Sequence, residues 1–364
     1  MGVGKQRIED LEEELRTTKY NKATQHHVGR VKAKIARLKE DVERKASSQK
    51  KGEGYAVKKT GDGTVCMLGF PSVGKSTLLN ALTNAESKVA AYDFTTLDVI
   101  PGLMEYNNAK IQVLDVPGIL HGAASGRGRG REVLAVLRSS DLILMVLDVY
   151  HPGHAKILKN ELYETNIRIN TSRPDVKIAR KPRGGISFAS TVRQPHIDKE
   201  TIAAILQEYR IVNADVVLRS VITMDEFIDV VESNRVYLPA ITVVNKIDTV
   251  PPEKANQVLK ASEADLGISA QQGTNLAELR ELIFTRLDLI RVYLKQLGKK
   301  PDMDVPLIMR SGSTVEDVCK KLHREFVMKF RFCRVWGTSA RFPGQQWMLD
   351  HELHDKDIVE IHLQ

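Results

Sequence analysis

The sequence predicts an α/β fold built on a parallel-strand sheet with helices on both faces. Two observations support it. Short apolar segments alternate with segments of helical periodicity, and a glycine-rich phosphate-binding pattern lies between the first strand and the first helix of that series. The chain has 364 residues, which suggests two or three domains. We therefore expect an N-terminal helical hairpin, an inserted α+β subdomain and a small C-terminal α+β domain beside the sheet domain.

The sheet domain is expected over residues 60–167 and 236–300. Its predicted strands and helices are residues 65–68, 76–84, 111–114, 142–147, 241–244 and 275–287. Strands of this kind are apolar along their length because helices cover both faces of a parallel sheet. Residues that directly follow them are expected at the carboxyl edge, where such folds bind ligands.

Residues 1–50 are predicted to form a helix-turn-helix arm. Apolar residues recur at spacings of three and four in residues 8–15 and 28–42, on either side of a break near residues 17–21. The stripe is narrow, which favours a seam between two helices over a face packed on a globular core. A small, polar, glycine-containing linker follows at residues 47–54.

Two further units are predicted from interruptions of the strand–helix alternation. Residues 168–235 begin with a basic stretch and end with a helix–strand–helix region, residues 200–236, which indicates an inserted subdomain. Residues 301–364 contain a strand at 306–309, a helix at 315–326 and further strands, which indicates a small α+β domain.

Basic charge is concentrated outside the sheet domain. The formal net charge is +8; residues 1–60 carry 16 Lys and Arg against 9 Asp and Glu, and residues 168–200 carry 8 against 3. This distribution favours a polyanionic partner, most simply nucleic acid, although about half of such charge runs are ordinary solvated surface. Three cysteines without metal-knuckle spacing, no apolar stretch of about 18 residues and a charged N-terminus predict a soluble cytoplasmic protein without a membrane partner.

The strongest motif is GFPSVGKS at residues 69–76, which matches the phosphate-binding pattern G-x-x-x-x-G-K-S/T, the P-loop. Its glycines let backbone N–H groups wrap phosphate oxygens, and the following helix directs its positive end at the same anion. Lys75 supplies a cation to the β- and γ-phosphates, and the Ser76 hydroxyl ligates Mg²⁺. The nucleotide contacts expected from this loop are Gly69, Ser72, Val73, Gly74, Lys75, Ser76 and Thr77.

The tetrapeptide NKID at residues 245–248 selects the base. Asp248 offers two acceptor oxygens to the N1–H and N2–H₂ donors of guanine, a pair that adenine lacks. Asn245 can bond the base and tie this loop to the P-loop, and the stem of Lys246 covers one face of the base. A third base-contacting loop is expected to supply Ser269 and Ala270. The sequence therefore predicts GTP rather than ATP.

Two loops are predicted to respond to the γ-phosphate. Asp115 would hold Mg²⁺ through water, and the Gly118 N–H would sense the γ-phosphate. Thr96, favoured over Thr95 by position, would close over Mg²⁺ when a γ-phosphate is present. Both loops are then two-state elements, ordered by GTP and released by hydrolysis. The residues assigned to catalysis are Lys75, Ser76, Thr96 and Gly118.

No side chain is singled out as the group that positions the attacking water. Ile119 occupies the place where many GTPases carry glutamine, and it cannot orient water. His121 is nearby, but a lone histidine is usually an exposed loop residue. Three arginines in or beside a glycine-rich segment could act as an internal arginine finger or contact phosphate or RNA: Arg127, Arg129 and Arg131. Slow intrinsic hydrolysis is expected.

Together these motifs resemble those of the developmentally regulated GTP-binding proteins, an Obg-related branch of the translation-factor-class GTPases. The similar segments are GFPSVGKSTLLN, YDFTTLDVIPG, DVPGILHGAASGRGRGREV, NKID, NKATQHH and RVWGTSARFPGQ. The resemblance covers nearly the whole chain. It implies a helix-turn-helix arm, a P-loop GTPase domain, an inserted subdomain similar to ribosomal-protein S5 domain 2, and a C-terminal TGS domain with a ubiquitin-like β-grasp.

The resemblance also bears on cofactors and partners. It implies a regulatory protein as partner, and it agrees with Mg²⁺ as cofactor and with ribosome or rRNA contacts through the basic arm, the inserted subdomain and the TGS domain. Potassium is a second candidate ion, although potassium-activated relatives carry Asn where this chain has Ser72. The expected function is a GTP-hydrolysing regulator that acts on ribosomes or RNA in translation. The alternative is an RNA-binding module that uses GTP as a structural ligand with negligible turnover; a metabolic P-loop kinase is disfavoured by the complete guanine motif.

Overall fold

The computed structural model describes residues 3–22, 24–48, 61–83, 100–116 and 130–364. Its α-helices are α1 Val3–Thr17, α2 Gln25–Ser48, α3 Lys75–Leu82, α4 Gly130–Ser139, α5 His154–Glu164, α6 Lys199–Glu208, α7 Met224–Glu232, α8 Pro252–Ser262, α9 Leu276–Arg286, α10 Val315–Leu322 and α11 Arg324–Met328. Its strands are β1 Gly63–Leu68, β2 Ile100–Tyr106, β3 Ala109–Asp115, β4 Leu142–Asp148, β5 Ile167–Ile169, β6 Val176–Arg180, β7 Ile186–Ser190, β8 Ala214–Leu218, β9 Val236–Leu238, β10 Ala240–Asn245, β11 Leu266–Gly267, β12 Leu289–Leu294, β13 Leu307–Arg310, β14 Phe330–Trp336, β15 Gln345–Trp347 and β16 Asp357–Leu363.

The described chain divides into two compact units. Unit 1 contains α1, α2 and residues 162–237, and unit 2 contains the remaining sheet domain and the C-terminal domain. Within the described ranges, no helix is both long and apolar enough to cross a membrane.

The six-stranded sheet of unit 2 has the strand order β11-β10-β4-β1-β3-β2. Every neighbouring pair is parallel except β2 and β3, which form an antiparallel hairpin at one edge. Strands β1, β4 and β10 are buried along their whole length, as expected for strands covered by helices on both faces. The predicted parallel-strand sheet is confirmed, and it brings the ends of β1, β3, β4 and β10 to one edge.

The arm of unit 1 is a helical hairpin, as predicted, but its second helix has two buried faces. One face forms the expected seam, in which Leu11 of α1 packs against Val31 and Ile35 of α2. The other face carries Val28 and Ala33 into the core of the inserted subdomain. The expectation of a two-helix seam alone is therefore wrong. Small residues such as Ala33 contribute little to an apolar stripe in the sequence, although they allow helices to pack closely.

The inserted subdomain has a three-stranded sheet, β6-β8-β7, in which β8 is antiparallel to β6 and parallel to β7. The predicted helix–strand–helix region is confirmed as α6, β8 and α7. Helix α7 begins with a capping box, in which Thr223 and Glu226 satisfy each other's backbone N–H groups. Side chains of α6 and α7, among them Ile202, Ile205 and Phe227, form the core that α2 completes.

A buried charge network joins the two chain segments through which the insertion begins and ends. The Asp229 carboxylate, 5% exposed, accepts hydrogen bonds from Arg168 at 2.7 and 2.9 Å and from Arg235 at 2.7 Å. Arg235 also pairs with Glu232 at 2.6 Å, and Glu232 accepts the Tyr209 hydroxyl at 2.7 Å. Burial raises the pKa of Glu232, against the opposing charge of Arg235. Such a network stabilises one arrangement of the segment because each buried charge depends on its partners.

The C-terminal domain has a five-stranded sheet in the order β13-β12-β16-β14-β15. Helix α10 covers one face, where Val315 and Val318 pack against Val335 and Val359. The predicted strand and helix near residues 306–309 and 315–326 are confirmed as β13 and α10–α11. The boundary expected at residue 301 is too late, because β12 pairs with β13 and β16 and begins directly after α9. No linker composition separates α9, which ends at Arg286, from β12, which begins at Leu289, so composition does not reveal this boundary.

Candidate nucleotide-binding site

The P-loop joins β1 to α3, and two of its glycines are required by close packing. A Cβ at Gly69 would lie 2.4 Å from the Val146 carbonyl oxygen, and one at Gly74 would lie 2.4 Å from the Asn245 amide nitrogen. Gly74 also has a φ of +94°, in the left-handed region that side chains rarely adopt. Ser72 adopts a φ of +63°, so the loop turns its backbone at two points. Close packing therefore explains why the P-loop pattern requires glycine at both of these positions.

Lys75 lies over this loop. Its Nζ donates to the carbonyl oxygens of Gly69 and Phe70, both at 3.0 Å. Burial lowers the pKa of the Lys75 ammonium, and the charge of Asp115 opposes that shift. The ammonium is therefore held by the loop at the start of α3, where a phosphate chain would need a cation.

Ser76 and Asp115 bring two oxygen ligands together from different loops. The Ser76 hydroxyl donates to Asp115 Oδ2 at 2.8 Å, and Asp115 is 7% exposed at the end of β3. Mg²⁺ prefers such oxygen ligands and is held by one or two carboxylates together with substrate phosphates. Among the described residues there is no larger group of His, Cys, Asp and Glu arranged for a metal. The pair fits a Mg²⁺ that shares its coordination with a nucleotide.

Asn245 ties three loops together with one amide. It is 3% exposed, and its Nδ2 donates to the Val73 carbonyl at 2.9 Å. Its Oδ1 accepts the N–H groups of Lys246 at 2.9 Å and Ala270 at 3.0 Å. The amide therefore links the P-loop, the loop with the NKID tetrapeptide at residues 245–248 (the guanine loop) and the loop after β11. The tie that the sequence predicted is present, and a third loop joins it.

Lys246 connects the guanine loop to the P-loop a second time. Its Nζ donates to the Ser72 carbonyl at 2.7 Å and to Asp148 Oδ2 at 2.8 Å. Asp248 follows in a short 3₁₀ turn, with its side chain exposed. No hydrogen bond or ion pair is found for Asp248 within the described part of the chain. Its carboxylate is thus free to accept hydrogen bonds from a base.

Asp148 is a site residue that the sequence reasoning missed. It ends β4 and is 6% exposed, and its carboxylate accepts the Tyr150 N–H at 2.7 Å as well as the Lys246 ammonium. Burial pushes the pKa of Asp148 upward, but the hydrogen bonds from Lys246 and Tyr150 and the charge of Lys246 outweigh it and hold the pKa below its ordinary value. The signal was available, since the apolar segment 142–147 ends directly at this acid, as the segment before Asp115 does.

The loop that the sequence predicts as the third to contact the base follows β11. Ser269 is fully buried, and its hydroxyl accepts the Gln272 N–H at 3.1 Å. Asn275 fixes the same loop by donating to the Gly267 carbonyl at 2.8 Å. The loop therefore presents backbone rather than the Ser269 side chain toward Asn245.

A stack of three rings lies beside the P-loop. Phe70 stacks on His154 with ring centroids 3.9 Å apart, and His154 stacks on His151 at 4.9 Å. Burial and the charge of His151 lower the pKa of His154. The segment after β4 thus supports the P-loop, because His154 stacks on Phe70. The last residue of β4, Asp148, supports the guanine loop.

Several predicted site residues lie outside the described residues: Thr95, Thr96, Gly118, Ile119, His121, Arg127 and Arg129. Arg131 falls within α4. The roles given to these residues remain predictions.

Comparison with known families identifies the chain. A family model described as a 50S ribosome-binding GTPase matches residues 64–181, its C-terminal region matches residues 183–289, and a TGS domain matches residues 290–363. An uncharacterized GTP-binding protein of Methanocaldococcus jannaschii is 54% identical, with 99% of this chain and 93% of that protein covered. Developmentally-regulated GTP-binding protein 1 of Xenopus laevis is 44% identical, with 98% of each covered. The chain belongs to the developmentally regulated GTP-binding proteins.

Membership of the developmentally regulated GTP-binding proteins confirms the resemblance and the fold class predicted from the sequence. A GTPase domain and a TGS domain are both present, and the TGS match begins within β12, where the structure begins that sheet. Among solved structures, the YchF GTPase of Schizosaccharomyces pombe is similar, with 12% identity, a TM-score of 0.44 and coverage of 84% of this chain and 99% of that one.

Proposed function

We propose that this protein hydrolyses GTP to GDP and phosphate and that it uses this cycle to regulate an interaction with ribosomes or RNA in the cytoplasm. The observation that carries the nucleotide part is the link between the two nucleotide motifs. Asn245 and Lys246 of the guanine loop donate to the carbonyls of Val73 and Ser72 in the P-loop. Base and phosphate recognition are therefore coupled in one hydrogen-bonded unit.

The proposed roles follow from this arrangement. Lys75 and the P-loop N–H groups bind the β- and γ-phosphates, and Asp248 binds the guanine edge. Ser76 and Asp115 hold Mg²⁺, which supplies charge stabilisation for the transferred phosphoryl group when bound. Thr96 is proposed to contact Mg²⁺, and the Gly118 N–H is proposed to contact the γ-phosphate. Potassium is kept as an additional ion to be tested.

The ribosome or RNA part is supported by charge and by the family model. The exposed basic side chains on the inserted subdomain include Lys177, Arg180, Arg183 and Arg193. The model that matches residues 64–181 is described as a 50S ribosome-binding GTPase. Electrostatic binding to phosphates supplies affinity that falls steeply with salt. A regulatory protein is proposed as a further partner.

Phosphate release from GTP separates the proposed function from the alternative. Wild-type protein should release phosphate slowly with Mg²⁺ and not with EDTA, and Lys75→Ala should abolish release. Lys254→Ala, an exposed lysine of α8, is the matched control and should keep wild-type turnover. Parallel reactions in KCl and NaCl test potassium. Tight GTP binding without phosphate release would support the alternative, an RNA-binding module with GTP as a structural ligand.

Ribosome co-sedimentation with a GTP analogue, GDP or no nucleotide tests the partner. Removal of the arm is a poor test, because α2 completes the core of the inserted subdomain. Charge reversal of Lys177, Arg180, Arg183 and Arg193 to Glu is the better variant. Reversal of Lys254 and Lys260, which are both exposed on α8, is the control. Co-sedimentation that changes neither with salt concentration nor in the variant with the four charge reversals would contradict the proposal.

A further inference from the structure

The C-terminal sheet has two faces of different character. One face packs against α10 and carries Val292, Cys333, Val335 and Val359. The residues that alternate with these along β12, β14 and β16 point to the opposite face. Apart from Leu289 and Glu360, which are buried, they are half-buried or exposed, so most of this second face is accessible within the described part of the chain.

Strand pairing arranges the second face in cross-strand rows. In the first row Tyr293 and Trp336 flank Ile358 on the central strand β16. In the second row Arg334 stands beside Glu360. In the third row Phe332 pairs with His362, and their rings stack with centroids 4.2 Å apart and an angle of 17° between planes. Aromatic rings therefore occupy both ends of one continuous surface.

The charges on this face leave it cationic. Glu360 is 2% exposed, pairs with Lys295 and accepts a hydrogen bond from His362 Nε2 at 2.8 Å. Lys295 also lies over the Trp336 ring at 4.7 Å. Arg334 is exposed on this face. Arg331 is also exposed; a β-bulge between Phe330 and Phe332 interrupts the alternation there, and the Arg331 guanidinium lies 5.8 Å from the centroid of the Phe332 ring. The Glu360 carboxylate is thus neutralised within the sheet, while the exposed guanidinium groups of Arg331 and Arg334 leave the Phe332 end of the face cationic.

We propose that this face of the C-terminal sheet binds single-stranded RNA. A base would stack on the Phe332–His362 pair, and phosphates would contact Arg331 and Arg334. Rings on a sheet bordered by cations are the arrangement that accepts splayed bases, since every base has a stacking face. An RNA duplex hides its bases and would leave the rings unused. The proposal rests on the proposed RNA partner and assigns it a surface distinct from the basic side chains of the inserted subdomain.

The test measures binding of a fluorescein-labelled 12-nucleotide oligouridine to the full-length protein by fluorescence anisotropy, across a salt series. Phe332→Leu removes a ring and keeps an apolar side chain. It should weaken binding about 5- to 150-fold, the effect of losing one base stack, without changing the salt slope. Arg334→Gln should weaken binding and lower the slope of log Kd against log salt by about one. His362→Ala is a second ring variant, for use if Phe332→Leu lowers the thermal unfolding midpoint.

Phe342→Leu is the matched control, because Phe342 is 60% exposed in the same domain but lies in the loop after β14. It should bind as wild type does. Equal losses for Phe342→Leu and the ring variants, or tighter binding of a 12-base-pair duplex, would overturn the proposal. A third outcome would also overturn it: oligouridine binding that is unchanged in the ring and Arg334 variants but is lost on charge reversal of the four basic residues of the inserted subdomain. That last result would leave the RNA partner standing and refute only this surface.

Discussion

The position of Asp248 in the candidate site depends on hydrogen bonds that hold its loop in place. Those bonds are made by Asn245, Lys246 and Asp148. The tetrapeptide NKID was expected to contact a base, yet the amide of Asn245 is engaged inside the protein at both ends. The ammonium of Lys246 is likewise shared between a carbonyl and the Asp148 carboxylate. These contacts fix the loop that presents Asp248. Base recognition at one residue therefore rests on the positions of three others.

Asp248→Asn should exchange guanine for xanthine specificity. The substitution replaces an acceptor with a donor opposite the N2–H₂ group of guanine, whereas xanthine presents an acceptor there. GTP affinity should fall by at least the roughly 1–3 kcal/mol of an unsatisfied buried pair, and XTP binding should appear. Equilibrium titration with both nucleotides measures this. Glu253→Gln on α8 removes a nearby exposed carboxylate as control, and unchanged GTP affinity in Asp248→Asn would refute the assignment.

Asp148→Asn should cost about 1–3 kcal/mol of the free energy of unfolding at neutral pH, because Lys246 loses its buried counter-charge. The pKa of Asp148 lies below its ordinary value of 3.8 in the folded state. Its contribution is therefore complete above pH 3.8 and is lost as the pH falls through the lower folded-state pKa. Urea midpoints of wild type and variant should differ at pH 7 and at pH 5 and converge toward pH 3.

The exposed pair Lys159–Glu263 provides the comparison for this experiment. Glu263→Gln should leave the midpoint unchanged at neutral pH, since exposed pairs contribute little. A difference for Asp148→Asn that grows as the pH falls would contradict the sign of the argument.

At the scale of elements, the P-loop is fixed by close contacts with β4 and β10. Gly74→Ala should reduce GTP affinity about tenfold or more. The left-handed conformation alone costs a side chain about 1–2 kcal/mol, and the new Cβ would displace the Asn245 amide. Gly153→Ala is the matched control, because Gly153 has no neighbour within 4 Å of its Cβ position. The measurement is nucleotide titration of both variants, and equal affinities would show that the Gly74–Asn245 approach is unimportant.

Elements whose chemistry is local were predictable, whereas several features defined by distant contacts were not. The P-loop and the guanine loop were found because a phosphate or a base requires particular residues in fixed order. Asp148 was missed because its role depends on Lys246, which is 98 residues away in sequence. The second face of α2 was missed because small residues such as Ala33 give no apolar signal. The start of the C-terminal domain was missed because β12 follows α9 without a linker.

At the scale of the molecule, each unit has its own core. Asp229→Asn should destabilise unit 1 by about 3–5 kcal/mol, because it leaves the buried guanidinium groups of Arg168 and Arg235 without their shared counter-charge. GTP affinity should not change, since the nucleotide motifs belong to unit 2. Thermal unfolding with and without GTP, together with nucleotide titration, measures both effects.

Asp225→Asn is the control for this prediction, because it breaks the partly exposed pair of Asp225 with Lys32. Its effect should be about 0–1 kcal/mol. Equal destabilisation by the two substitutions would show that the buried network contributes no more than a surface pair.

The packing of α2 on the inserted subdomain also has a consequence for synthesis of the chain. Gln25 donates to the His196 carbonyl, and Arg37 donates to the Glu208 carbonyl, each across 171 residues of sequence. At about 5–20 residues per second, the arm leaves the ribosome roughly 10–35 seconds before its partner helix. Throughout that time Val28 and Ala33 have no core to enter. Unit 1 can therefore complete its core only after the first strands of unit 2 have been made, whereas β10 to β16 of unit 2 are synthesised after all of unit 1.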